Sequence, residues 1–88
     1  MKIKDGFMLR NVGGENLVVA VGEASDYFHG MIRLNDTAAF LWKKMEDGVD
    51  TKDGLVKSLT SEYDVTDERA GKGVDSFLQT LQENQILE

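Results

Sequence analysis

The stretch GMIRLNDTAAFLW, residues 30–42, contains the change of hydrophobic period on which the fold depends. In its first part, Ile32 and Leu34 alternate with Met31 and Arg33. A period of two is typical of a half-buried strand, because successive side chains point to opposite faces. The sequence therefore predicts a short strand over these four residues.

The same stretch passes directly into a predicted helix. Asn35 can accept hydrogen bonds from the free backbone N–H groups of the next turn, as an N-cap does, and Asp36 suits the helix dipole. The apolar residues that follow recur at i, i+3, i+4 and i+7 and share one face: Ala38, Leu41, Trp42 and Met45. A helix is predicted from about residue 36 to residue 47.

Upstream of this junction the sequence predicts a β-hairpin. Residues 7–12 and 16–21 are the two strands, and Gly13-Gly14-Glu15 is the turn, because glycine reaches positive φ without a steric clash. Residues 1–6 are expected to be a ragged lead-in, and residues 22–30 a longer connection with room for a helical turn. One face of the second strand carries three apolar residues: Leu17, Val19 and Val21.

Downstream, two more helices are predicted. Gly48 is placed to end the first helix, Thr51 to cap the second, and Thr66 to cap a third that runs to about residue 83. Asn84 is expected to end the third helix in the left-handed conformation. The apolar faces are Leu55, Val56, Leu59 and Tyr63 in the second helix, and Ala70, Val74, Phe77, Leu78 and Leu81 in the third. Ile86 and Leu87 are expected to fold back onto the core.

The predicted order is therefore three strands followed by three helices, an α+β fold. A lone small sheet must have one face covered, and three amphipathic helices can cover it. The second and third helices, joined by a short turn, form a predicted helix-turn-helix pair. We predict a winged helix-turn-helix domain with a three-stranded antiparallel sheet, and 88 residues suit a single domain.

Composition excludes several classes of site. There is no cysteine and one histidine, His29, so a disulfide framework, a thiolate metal site and a multi-histidine site are excluded. The net charge of -6 disfavours nucleic acid and anionic membranes as partners. No apolar run approaches the roughly 18 residues of a membrane span, and the N-terminus lacks the apolar region of a signal peptide. The expected location is the cytoplasm.

Several residues allow both a structural and a functional interpretation. Trp42 is assigned to the core rather than to the floor of a ligand pocket. His29 is assigned to a loop rather than to a catalytic or metal site. The acidic residues from Glu62 to Glu68 are assigned to the start of the third helix, because their spacing fits no calcium loop. Met31 and Arg33 remain open between ligand contact and plain solvent exposure. We find no nucleophile–base pair and no cofactor motif, so neither enzymatic activity nor a cofactor is predicted.

Residues 30–42 resemble the signature G-x-I-x-L-N-E-T-A-x-x-I/L-W of PqqD-like proteins, named after coenzyme PQQ synthesis protein D. The later pattern is similar too: Asp47-Gly48, Leu59 to Tyr63-Asp64-Val65, Val74-x-x-Phe77-Leu78-x-x-Leu81 and the ending Ile86-Leu87-Glu88. The resemblance extends from about residue 7 to residue 87.

This resemblance implies a recognition element for ribosomally synthesised and post-translationally modified peptides (RiPPs). Such a domain acts as a peptide chaperone. It binds the leader segment of a precursor peptide and presents it to a modifying enzyme, often a radical SAM protein. It would be a monomer or a weak dimer. The leader lies as an extra strand along the third strand, beside the third helix, and the implied contact residues here are Met31, Ile32, Arg33, Leu34, Arg69, Lys72, Gly73 and Ser76.

Physical arguments are consistent with that site. A third strand outside the hairpin is expected to be an edge strand, whose free N–H and C=O groups can pair with an extended peptide. One difference concerns Gly73, because the family pattern often has Asp there. The rival hypothesis is a winged-helix DNA-binding regulator, but its recognition helix would carry more acidic than basic residues: Asp67, Glu68, Asp75 and Glu83 against Arg69 and Lys72. Finally, Gly71 and Gly73 predict a loosely formed first half of the third helix, which a ligand would order.

Overall fold

A computed structural model describes all 88 residues of the chain. The strands are β1 (Phe7–Val12), β2 (Glu15–Ala20) and β3 (Met31–Leu34), and the helices are α1 (Asp36–Glu46), α2 (Lys52–Glu62) and α3 (Asp67–Glu83). A short 3-10 helix, Gly22–Asp26, lies between β2 and β3. The predicted order of three strands and three helices is confirmed, as is the helical turn in the connection.

The sheet is antiparallel with strand order β1-β2-β3, so β1 and β3 are its two edges. Gly13 and Gly14 form the hairpin turn with φ values of 59° and 84°, a conformation that favours glycine. On β2 the fully buried residue is Val18, which lies opposite Leu9 of β1 and Ile32 of β3. The predicted apolar face of β2 therefore points away from the helices, and the opposite face packs on the core.

Each helix begins at its predicted cap. The side-chain oxygen of Asn35 accepts a hydrogen bond from the Ala38 N–H at 2.8 Å. Thr51 and Thr66 accept equivalent bonds from the third residue of α2 and of α3, at 3.0 and 3.2 Å. Each such cap contributes about 1 kcal/mol to stability. Because Asn35 directly follows β3, its cap also fixes where α1 starts relative to the end of that strand.

The prediction for Asn84 is wrong. Asn84 has φ -94°, and the left-handed residue is Gln85 with φ 58°. The Gln85 N–H donates to Gln82 O at 3.0 Å and the Ile86 N–H to Leu81 O at 2.9 Å, a Schellman pattern. Asn84 instead donates its side-chain amide to Thr80 O at 2.8 Å, so the chain turns one residue later than predicted.

The prediction of a ragged N-terminus is also wrong. Ile3 and Leu87 form an isolated antiparallel bridge, and the Lys4 N–H donates to Ile86 O at 2.7 Å. The Val21 N–H donates to the carbonyl of Gly6, also at 2.7 Å. The first residues are thus hydrogen-bonded to both the C-terminal segment and the end of β2.

One hydrophobic cluster joins the inner face of the sheet to all three helices. Trp42 is fully buried at its centre, which confirms its assignment to the core, and Ile86 folds back into it as predicted. Its other fully buried large members are Leu41, Leu55, Leu81, Val18 and Val74. None of the helices combines the length and apolar character that crossing a bilayer requires.

Candidate functional site

The free edge of β3 is the first component of the candidate site. Strand β3 pairs with β2 on one side, and the sheet has no strand on its other side. No backbone hydrogen bond outside the sheet involves residues 31–34. The expectation that β3 is an edge strand is confirmed. Its outward N–H and C=O groups can therefore accept another extended chain.

A pocket of about 210 Å³ lies beside the C-terminal end of β3. It is bounded by the last residues of β3, the start of α1 and the middle of α3. Eleven residues line it: Arg33, Leu34, Asn35, Thr37, Ala38, Leu41, Leu59, Gly73, Ser76, Phe77 and Thr80. Leu34, Leu41, Leu59 and Phe77 are buried and belong to the core cluster. The pocket therefore has an apolar base that is continuous with the core.

Polar groups around the pocket are mostly tied to their own elements. The Thr37 hydroxyl donates to Asn35 Oδ1 at 3.0 Å, and the Thr80 hydroxyl donates to Ser76 O at 3.1 Å. The Ser76 hydroxyl makes no hydrogen bond within the protein. Arg33 is the only charged residue in the lining. The pocket is thus apolar at its base, hydroxyl-rich above it, and free of carboxylates.

The structure brings together four of the predicted contact residues and separates the others. Arg33, Leu34, Gly73 and Ser76 line the pocket. Ile32 is half-buried on the inner face of the sheet, and Met31 is 63% exposed. Arg69 and Lys72 are exposed on α3 and do not line the pocket.

Sequence reasoning missed several pocket residues, of which Leu59 and Thr80 are the most informative. Thr80 lies four residues after Ser76 and seven after Gly73, so the helical period could have found it. Leu59 comes from α2, and no local pattern in the sequence shows that α2 reaches the end of β3.

The charged side chains near the site form exposed ion pairs. Arg33 contacts Glu15 at 3.3 Å, and the two side chains are 72% and 50% exposed. On α3, Lys72 contacts Glu68 at 3.6 Å, and both side chains are about four-fifths exposed. Such pairs contribute little to stability and are readily exchanged for other partners. They leave Arg33 and Lys72 accessible to a ligand.

The glycines of α3 do not serve close packing. A Cβ atom added at Gly71 or at Gly73 would meet no neighbouring atom within 4 Å. Gly73 lines the pocket, whereas Gly71 does not. Because Gly73 has no side chain, the wall of the pocket at this point is bare backbone without a carboxylate.

Comparison with protein families matches residues 15–87 to coenzyme PQQ synthesis protein D (PqqD). The chain belongs to the PqqD family. The matched range includes β2, β3 and all three helices, and with them both the free edge and the pocket. Comparison with curated proteins gave no significant match.

Two solved structures share the fold. One is described as TbiB1 in complex with the TbiA(beta) leader peptide, with a TM-score of 0.77 at 20% identity, covering 100% of this chain and 95% of that chain. The other is described as lasso peptide synthetase B1 complexed with the leader peptide, with a TM-score of 0.70 at 23% identity, covering 94% and 91%. At these identities the likeness establishes the common architecture.

No group of histidine and acidic side chains in the structure is arranged to hold a metal ion. Of the acidic residues assigned to the start of α3, Asp67 and Glu68 occupy its first turn, at the positive end of the helix dipole. The assignment is wrong for Glu62, which ends α2, and for Asp64, which lies in the connection between the two helices.

Proposed function

We propose that this PqqD-family protein binds the leader segment of a ribosomally made precursor peptide by strand addition to β3. It presents the bound peptide to a modifying enzyme and acts by binding rather than by catalysis. The observation that carries the proposal is the free edge of β3 beside the pocket between α1 and α3. Backbone pairing along the edge supplies affinity, and the pocket supplies specificity for a side chain.

The similar structures support this proposal. Both are described as complexes with a leader peptide, and both share the arrangement of the sheet and helices. The pocket volume is a second support. Sites for small molecules occupy about 300–1,000 Å³, whereas the 210 Å³ here suits a single peptide side chain.

In this proposal the backbone of Met31–Leu34 pairs with the leader, and α3 flanks it. Gly73 and Ser76 form the side of the pocket, and the Ser76 hydroxyl is free to bind a polar group of the peptide. Arg69 and Lys72 lie nearer the N-terminus of α3 than the pocket residues do. They contact the leader only where it extends beyond the pocket. The protein works in the cytoplasm as a monomer or weak dimer. It delivers the leader to a radical SAM enzyme or another peptide-modifying enzyme.

The DNA-binding alternative gains no support from the surface of α3. Of its two basic residues, Lys72 is paired with Glu68, and Asp75 on the same helix holds Lys52 at 2.8 Å. DNA affinity depends on Lys and Arg side chains that neutralise phosphates. A helix with four acidic residues against two basic ones, on a chain of net charge -6, presents a surface that repels phosphates and is poorly suited to that role.

A selection experiment tests the proposal. The protein is used to select binders from a displayed library of random 15-residue peptides, and a selected peptide is titrated into isotope-labelled protein. We expect an affinity around micromolar, roughly -8 kcal/mol, with the largest amide shifts at residues 31–34 and 73–80. Shifts centred on β1, or binding of random double-stranded DNA without selection of any peptide, would overturn the proposal.

A further inference from the structure

The outer face of the sheet has a cross-strand row that ends in arginine at both edges. Arg10 of β1, Leu17 of β2 and Arg33 of β3 lie opposite one another. Because side chains alternate along a strand and Val18 is buried beneath the helices, the neighbouring Leu17 row points away from them. The two arginines are therefore equivalent in the sheet but lie at opposite edges.

The two arginines differ in their surroundings. Arg33 contacts the Glu15 carboxylate, whereas the Arg10 guanidinium lies 3.8 Å from the Met8 sulfur and has no carboxylate partner. Glu15 is the only acidic residue that the three strands place on this face. On a chain of net charge -6, the outer face is thus a locally positive surface.

A strand added to β3 must follow the same two-residue alternation. The residue that faces Arg33 points outward, the next lies opposite half-buried Ile32 and points to the inner side of the sheet, and the one after that points outward beside Met31. On the other side of the Arg33 position, the residue opposite Leu34 points inward at the pocket. Met31 is 63% exposed and offers an apolar surface at that position. The edge therefore favours a negatively charged side chain opposite Arg33 and apolar side chains opposite Ile32 and Met31.

We infer that the peptide strand bound at β3 carries an aspartate or glutamate opposite Arg33, followed or preceded by an inward apolar residue and an outward apolar residue beside Met31. This inference rests on the proposed function and specifies the chemical class of the peptide. A lysine or arginine in the peptide opposite Arg33 would place two like charges next to each other across the strands, which is unfavourable. Arg33 would then lie between two carboxylates, that of Glu15 and that of the peptide.

The size of the effect follows from the exposure of the pair. Opposite charges on neighbouring strands are favourable but modest, so replacing the peptide carboxylate by its amide should weaken binding by up to about fivefold. In Glu15→Gln, which lacks the competing carboxylate, the affinity ratio of the acid peptide to the amide peptide should be larger than in the wild type. The difference in affinity between the acid and amide peptides should shrink at 1 M salt, where the Debye length is about 3 Å.

Peptide selections with three proteins test the inference: the wild type, Arg33→Glu and the matched control Arg10→Glu. Both variants change the net charge by the same amount on the same face, but Arg10 lies at the other edge. We expect acidic residues to be enriched by the wild type and by Arg10→Glu, and to be replaced by Lys or Arg with Arg33→Glu. Should Arg33→Glu fail to fold, the acid and amide peptides are titrated into wild type and Glu15→Gln.

The outcomes separate this inference from the proposed function. Selected peptides that shift the β3 amides but show no acidic preference overturn the inference and leave the proposed function standing. Equal loss of the preference in Arg10→Glu and Arg33→Glu means a long-range charge effect and also overturns it. Failure to select any peptide overturns the proposed function, and this inference with it.

Discussion

Asn16 Nδ2 donates a hydrogen bond to Asp36 Oδ1 at 3.1 Å and so joins β2 to the first turn of α1. Asn16 also lies opposite Leu34, the last residue of β3. The bond therefore spans the junction at which strand gives way to helix. Together with the Asn35 cap, it fixes the side of the pocket that α1 contributes.

The first prediction concerns that cap. Asn35 Oδ1 accepts from both the Ala38 N–H and the Thr37 hydroxyl, so Asn35→Ala removes two hydrogen bonds at once. We expect a loss of about 1 kcal/mol and a Tm lower by about 4–8 °C, measured by thermal unfolding. Asn11→Ala, which removes an exposed side-chain bond to Asn16, is the control and should change Tm much less. Equal shifts in the two variants would contradict the assigned role of the cap.

The second prediction concerns the core beneath the pocket. Phe77 is 4% exposed, lines the pocket and belongs to the core cluster. Phe77→Ala should cost about 3–5 kcal/mol, a large part of the stability of a small domain. Chemical unfolding measures this loss, with Leu78→Ala as a partly buried control that should cost less. A Phe77→Ala protein that unfolds at the wild-type denaturant concentration would show that the core is assigned wrongly.

The third prediction concerns backbone pairing at β3. If strand addition supplies the affinity, Arg33→Pro should weaken binding of a selected peptide far more than Arg33→Ala, because proline has no N–H. Circular dichroism of both variants checks that they remain folded. An independent measurement uses the wild type with peptides N-methylated at single positions.

N-methylation should abolish binding at every second position and have little effect between them, since a paired strand directs alternate N–H groups to its neighbour. Methylation effects without this alternation would mean that the peptide binds through side chains and not as a strand.

How much the sequence predicts depends on the range of the interaction. The caps Asn35, Thr51 and Thr66 were predicted correctly, because a cap bonds to a backbone group three residues away. The bridge between Ile3 and Leu87 could not be predicted, because its partners lie at opposite ends of the chain and neither segment has a strand pattern.

The same distinction applies to the site. Arg33, Leu34, Gly73 and Ser76 were named because a family signature and a helix face point to them, and the pocket brings them together. Leu59 enters the same pocket only through the packing of α2 against α3. Gln85 was missed for another reason, since asparagine adopts the left-handed conformation more often than glutamine does. Here the side-chain amide of Asn84 donates to Thr80 O, and the left-handed residue is the next one, Gln85.

The last prediction concerns the glycines of α3. Each costs about 1 kcal/mol relative to alanine in a helix interior, and a methyl group at either position would meet no neighbouring atom. Gly71→Ala and Gly73→Ala should therefore both stabilise the free domain. In the wild type, residues 68–74 should exchange their amide hydrogens faster than the packed residues 75–81, and a bound peptide should slow the exchange of residues 68–74.

The two glycines should differ in binding. Gly71 lies outside the pocket, so Gly71→Ala should tighten binding of a selected peptide by removing part of the cost of ordering the helix. Gly73→Ala carries the same helical gain but adds a methyl group to the pocket wall, so its affinity should rise less or fall. Hydrogen exchange with and without peptide measures the ordering, and titrations measure the affinities. Strong and equal protection of residues 68–74 in both states would mean that this half of α3 is already rigid, and the ligand-ordered helix would have to be abandoned.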